Sequence, residues 1–205
     1  MLRIAMVGLI SLLVGAGLAT GTGVWPVRPG LIGLSAMLVS GLVVKRHWQR
    51  LRAVGADPGS PERALWHGLA TTALVGGHLF ASLWFIGPAM RLHSPLVHDT
   101  AIDNWTMVLG ALLSYGLTRD REPRRDERDR LFAAQGQRAG YIALIGQALG
   151  LSLALGYGAG TVVERLSQAM VSHLLISTLI LAAVVQYAAQ LRLYMIDDRH
   201  ALTVS

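Results

Sequence analysis

The chain reads as an all-α membrane protein, a polytopic bundle of about six transmembrane helices with both termini in the cytoplasm. Three observations point there. Of its 205 residues, 53% are hydrophobic and only 15% charged, where a soluble domain carries about a quarter charged. Its apolar residues run continuously over stretches near the ~20 residues that cross ~30 Å of hydrocarbon, without the alternation a barrel strand needs. Its Lys and Arg residues gather between alternate stretches. The absence of cysteine removes disulfides, thiolate metal ligands and a cysteine nucleophile from consideration.

The first stretch spans residues 3–22. Arg3 followed by apolar residues and Gly17-Leu18-Ala19 also fits a signal peptide with a small-residue cleavage site. The run continues unbroken to Gly21, which favours a retained helix. Gly21-Thr22-Gly23 then reads as a turn leading to Trp25-Pro26, not as a phosphate cradle. The second stretch covers 30–47 and the third 64–88, with Gly76-Gly77 a point where the third helix loosens. The fourth, 101–118, is the least apolar, because Asp103 and Asn104 fall in its first turn. The fifth covers 138–158 and the sixth 170–192, leaving cytoplasmic loops at 48–63 and 119–137.

Charge sets the orientation. With the N-terminus inside, Arg3, residues 45–63, residues 119–138 and the chain from Arg192 onward hold fifteen of the eighteen Lys and Arg residues. Only Arg28, Arg91 and Arg165 face outward, as the positive-inside rule requires. Trp25, Trp48, Trp66 and Trp105 fall near span ends, where an aromatic belt belongs. Gly17/Gly21, Gly136/Gly140, Gly146/Gly150 and Gly156/Gly160 give Gly-x-x-x-Gly spacing, which lets helices approach closely in lipid. Three of these pairs lie on the fifth helix, placing it inside the bundle and offering a face for a protein partner or a second copy. Gln147, Gln186 and Gln190 are expected to hydrogen-bond between helices.

The run Arg124-Arg125-Asp126-Glu127-Arg128-Asp129-Arg130-Leu131 is the densest charge in the chain. Pro123 ends what precedes it, so Asp126 becomes the N-cap of a new helix, with Glu127 in its first turn and Asp129 at N3. Arg125 with Asp129, and Asp126 with Arg130, stand four residues apart and can pair. Arg128, Arg130 and Arg138 then anchor the helix start at anionic headgroups. The acids alternatively form a cation site or a docking point, although three acids among arginines make a poor cage.

Asp126-Glu127-Arg128-Asp129-Arg130, followed by Gly136, Arg138 and Tyr141 opening an apolar span, resembles small bacterial integral membrane proteins that carry an Asp-Glu-Arg-Asp motif at the cytoplasmic start of a late helix. The resemblance covers about residues 124–150. It implies a multi-pass membrane protein of unassigned activity and supplies no catalytic residues.

Ionisable groups inside spans are costly and mark candidate sites. His78 lies fifteen residues beyond Arg63, Asp103 sixteen before Arg119 and His173 nineteen before Arg192. At ~1.5 Å per residue these are roughly 22, 24 and 28 Å from the cytoplasmic side. An outer-leaflet polar cluster of His78, Asp103 and His173 is therefore expected, below His93, His98 and Asp99 of the external loop and near Glu164 and Arg165. Interfacial hydrogen bonding, a proton-sensitive pocket or permeation route, and a metal or redox site all fit such a cluster. In the last, His78 and His173 would be haem ligands, or His93, His98 and Asp99 would hold a divalent metal. His67 and His78, eleven residues apart, return to nearly one helix face, and His47 follows two basic residues at the surface.

Composition and motifs bound the rest. Walker, nucleophile-elbow and His-Glu-x-x-His signatures are absent. The basic loops are short and near the membrane, so anionic lipid and not nucleic acid is their partner. The expected function is that of a non-enzymatic accessory or interaction protein of the bacterial inner membrane, without a cofactor. The alternatives are a small transporter using the outward polar cluster, and a haem- or metal-binding redox protein.

Overall fold

A computed structural model describes residues 1–55, 59–120, 126–158 and 160–204. Among these residues the fold has six α-helices: α1 (Leu2–Ala19), α2 (Pro29–Ala53), α3 (Ser60–Ile86), α4 (Pro95–Thr118), α5 (Glu127–Tyr157) and α6 (Gln168–Val204). A single 3-10 turn, Val162–Arg165, precedes α6, and no strand occurs among the described residues. Five of the described helices are long and apolar enough to cross a membrane. The sixth, α4, has the length, but His98, Asp99, Asp103 and Asn104 crowd its first half.

Helix limits differ from the hydropathy limits for one reason. Hydropathy marks where hydrocarbon ends, whereas backbone hydrogen bonds continue into water. The expected loop 48–63 is therefore helical up to Ala53 and again from Ser60, where Pro61 in the first turn suits a helix start. The expected loop 119–137 is likewise helical from Glu127. With 31 and 37 residues, α5 and α6 reach roughly 46 and 55 Å, well beyond ~30 Å of hydrocarbon. At the far end of α3, Gly87 takes φ 81° before Pro88, a left-handed conformation suited to glycine.

Packing pairs next-but-one helices. α1 lies parallel on α3, where a Cβ on Gly15 would stand 2.0 Å from the Leu74 carbonyl oxygen and one on Gly77 would stand 2.0 Å from that of Leu12. The two backbones are in contact because neither glycine has a side chain. α2 lies parallel on α4 in the same way, with Gly30 against Asp103, Gly41 against Ser114 and Gly110 against Leu34. Leu18, Met37, Val75 and Met107 join the two pairs at the centre. Antiparallel α6 closes on α3 through Leu69 and Leu191 at one end and Leu79 and Met170 at the other, where Met90 of the loop after α3 joins them.

The fifth helix is not inside the bundle. It packs almost wholly on α6, where Gly136 and Gly140 meet Gln190 and Gln186, while Gly146, Gly150 and Gly156 meet nothing within 4 Å. Small residues license close approach but do not choose which helix surface is covered. The spacing that does bring helices together, Gly15 with Gly77, joins two different helices and leaves no local signature.

Chain ends and basic segments collect at one face of the bundle. Lys45 donates to the Leu117 carbonyl at 2.7 Å, Arg63 and Arg52 pair with Asp120, and Arg128 pairs with Asp197 at 2.6 Å. The opposite face carries the Arg28–Asp99 pair at 2.9 Å.

Candidate functional site

A connected group of deeply buried polar side chains lies toward the opposite face, where four segments converge. Thr22 stands in the turn after α1, Gly30 opens α2, His78 sits in the outer half of α3, and Asp103 and Asn104 occupy the third turn of α4. Exposure is 0% at His78, 1% at Asp103 and 5% at Thr22, so these groups can use only one another and whatever guest reaches them. Asp103 Oδ1 accepts from the Gly30 N–H at 3.1 Å, and Oδ2 lies 3.2 Å from the Thr22 hydroxyl. That hydroxyl is 3.3 Å from His78 Nε2, and His78 Nδ1 is 3.1 Å from Asn104 Oδ1. The Asn104 amide group donates to the Thr100 carbonyl at 3.0 Å.

Counting donors fixes what this chain of contacts demands. The Thr100 carbonyl only accepts, so the Asn104 amide nitrogen must face it and Oδ1 must face His78. Nδ1 of His78 therefore carries a hydrogen. Thr22 has one hydroxyl hydrogen for two neighbours, His78 Nε2 and Asp103 Oδ2. If it goes to Asp103, Nε2 must itself carry a hydrogen, making His78 an imidazolium. If it goes to Nε2, Asp103 must carry the hydrogen. An ionised Asp103 beside a neutral His78 leaves one contact with two lone pairs facing each other. All contacts close only when the network holds one further proton, on either end of Thr22.

Two further hydroxyls flank the network. Ser82 Oγ, one turn beyond His78, and Thr100 Oγ1, one turn before Asn104, are buried without a hydrogen-bond partner among the described residues. Both lie nearer the opposite face than the network itself. Unpaired buried hydroxyls are costly unless water or a guest meets them.

His173 joins no bond of this network among the described residues. Its Nδ1 lies 2.8 Å from the Ala169 carbonyl of its own helix. His93 and His98 are exposed, and Asp99 is held by Arg28. Among the described residues no three His, Asp or Glu groups stand close enough to share a metal ion. Thr22, Gly30 and Asn104 escaped the sequence reading. A threonine in a Gly-rich turn looks like any turn residue, and only Asn104, polar beside an in-span acid, gave a signal.

At the basic face, the charge-dense run builds a helix start. Asp126 Oδ1 accepts from the Asp129 N–H at 2.8 Å, and Asp129 Oδ2 accepts from the Asp126 N–H at 3.0 Å, forming a capping box. The remaining Asp129 oxygen takes the Tyr194 hydroxyl. Arg128 reaches Asp197, lies 5.5 Å over the Tyr194 ring, and stands 3.9 Å from Asp126. The Asp197 hydrogen bond holds the Arg128 guanidinium above its ordinary range. Glu127, Arg130 and Arg138 are exposed, as headgroup-facing residues would be. Arg124 and Arg125 lie outside the described residues, and with them the Arg125–Asp129 pair. Nearby, partial burial pulls the Asp120 carboxyl up, but Arg63, Ser60 and Arg52 together hold it below the usual carboxylate range.

Comparison with protein-family models, with curated proteins and with solved structures finds no significant match.

Proposed function

We propose that the chain is a small proton-coupled permease of the bacterial cytoplasmic membrane, with its basic face inside and the Asp103–Thr22–His78–Asn104 network as the proton-binding element. One observation carries this reading: three ionisable or hydroxyl groups, none more than 5% exposed, close their contacts only around one additional proton. The unpaired Ser82 and Thr100 hydroxyls give that proton a polar path from the external side. The network ties the α1–α2 turn and α2 to α3 and α4, so gaining or losing the proton alters a contact that joins both helix pairs. Such a bistable contact is what couples protonation to movement.

Charge displacement after a pH jump, recorded from proteoliposomes on a solid support, tests this. The wild-type protein should give a transient that Asp103→Asn abolishes and Asp120→Asn, at the other face, leaves intact. An undiminished transient in Asp103→Asn would remove the network from proton binding.

The interaction-subunit reading draws on a different observation: on the outer face of α5, a Cβ at Gly146 or Gly150 would meet nothing within 4 Å among the described residues. Co-purification from native membranes tests it, with Gly150→Leu expected to release the captured protein.

A further inference from the structure

The segment that joins α3 to α4, residues 87–94, turns a single side chain inward. Ala89, Arg91, Leu92 and His93 are exposed, whereas Met90 is buried. The backbone brings this about. Gly87 takes φ 81° and ψ 175°, a region essentially reserved for glycine, and nothing stands within 4 Å of where its Cβ would be. Pro88 follows, with its own φ fixed by the ring. The chain therefore leaves α3 in a sharp turn and sets Met90 among Leu79 and Leu83 of α3, Val97 of α4 and Met170 of α6.

Little else holds the segment down. Among the described residues, one hydrogen bond ties it to a part of the chain other than α3 and α4: the Ser167 N–H, just before α6, donates to the Pro88 carbonyl at 3.0 Å. One backbone bond and one flexible thioether side chain thus close this end of the bundle.

What lies beneath Met90 is polar. α3 and α4 run antiparallel, and two contacts fix their register: the His67 ring beside that of Tyr115, and His78 on Asn104. Four residues outward along each helix, on the same faces, Ser82 comes level with Thr100. Both hydroxyls are buried and lack a partner among the described residues. A helical hydroxyl ordinarily satisfies itself on the carbonyl one turn back, as Thr71, Thr106 and Ser177 do. Ser82 and Thr100 make no such bond. Leu83 and Val97 come next outward, so the apolar cluster around Met90 separates the two hydroxyls from the face that carries the Arg28–Asp99 pair.

We propose that residues 87–94 form a gate with Met90 as its plug, which when withdrawn lets water pair with Ser82 and Thr100. Seated, Met90 is out of water and the two hydroxyls go unpaired. Withdrawn, it is exposed and they are hydrated. Burial of one methionine and hydration of two hydroxyls oppose each other with free energies of the same order, which is the balance a two-state element needs. Gly87 absorbs the change in backbone direction. That the gate admits protons to the Asp103–Thr22–His78–Asn104 network rests on the permease reading; the gate itself does not.

The chain has no cysteine, so Thr100→Cys supplies a single reporter thiol. In nanodiscs, which leave both faces open, its rate of modification by a charged methanethiosulfonate follows the fraction of time the gate is open. Adding Met90→Ala, which removes the plug, should raise that rate by at least about tenfold. Adding Gly87→Ala keeps the plug but places a side chain at φ 81°, straining the closed form, and should raise it too. Ser114→Cys, equally buried but in the basic half of α4, reports any loosening of the whole bundle, and neither change should alter its rate. Unchanged modification of Thr100→Cys in both combinations overturns the gate, as does an equal acceleration at Ser114→Cys. The pH-jump transient keeps the two readings apart. Accelerated labelling in a protein that gives no transient supports the gate and removes proton coupling, whereas a transient without accelerated labelling removes the gate alone.

Discussion

Replacing Thr22 with valine removes the hydroxyl that joins Asp103 to His78 while keeping the β-branched shape. Two contacts disappear, of 3.2 and 3.3 Å, both toward the long end for hydrogen bonds and so toward the weaker end energetically. The larger cost comes from the partners left behind. Asp103 and His78 are 1% and 0% exposed, and a buried polar group without its partner costs ~1–3 kcal/mol. Taking the lower half of that range for each gives a loss of about 2–4 kcal/mol. For a chain of this size, each kcal/mol moves the melting temperature by ~2–4 °C, so a fall of roughly 4–16 °C is expected. Thermal unfolding in nanodiscs, followed by circular dichroism, measures it. Thr22→Ser restores the hydroxyl and should lie within about 2 °C of wild type on the same scale. A Thr22→Val protein that melts with the wild type would mean that the hydroxyl bridges nothing, and the donor count built on it would fail.

Other expectations follow from separate parts of the fold. Gly77→Leu puts a side chain where a Cβ alone would lie 2.0 Å from the Leu12 carbonyl, so it should abolish folded protein in size-exclusion profiles, whereas Gly146→Leu, facing open space, should leave the monomer's melting temperature unchanged. Asp126→Ala removes half of the capping box and should cost ~1 kcal/mol, seen as faster hydrogen exchange confined to the first turn of α5. Because the Asp120 carboxyl is held below its ordinary range, its contribution is complete above the unfolded carboxylate value near 3.9 and is lost as pH falls through the lower folded value. Asp120→Asn should therefore destabilise at pH 7, and the difference from wild type should shrink in stronger acid. The chain has no cysteine, so Ser94→Cys and Asp120→Cys report sidedness directly. In intact cells an impermeant maleimide should label the first and spare the second, and the reverse pattern would invert the proposed orientation.

The number of helices and their alternation were legible because hydropathy and arginine placement answer to the same boundary between hydrocarbon and water. So was the start of α5, since Asp126 and Asp129 act through backbone groups three residues away. His78 and Asp103 were legible as partners by depth alone. Their linker was not. Thr22 reaches them only because the α1–α2 turn folds back over the bundle, and no local pattern encodes that path. His173 has the depth but hydrogen-bonds to its own helix, since depth leaves the rotation of a helix about its axis undefined. The same ambiguity hid the position of α5: its glycines match a packing motif, yet at three of them a Cβ would meet no described residue within 4 Å. Tyr194 and Asp197 were missed because α6 continues past the apolar limit at 192, into a region that hydropathy does not describe.

The protonation of the Asp103–Thr22–His78 chain is the property on which the functional reading rests, and magnetic resonance of one sample reads both ends of it. With carbon-13 in the aspartate carboxyls and nitrogen-15 in the histidine rings, the Asp103→Asn and His78→Gln spectra assign the two signals. Either a neutral carboxyl with a neutral, Nδ1-protonated His78, or a carboxylate with an imidazolium, is the pair that the donor count requires. A carboxylate at Asp103 together with a neutral ring at His78 would contradict it.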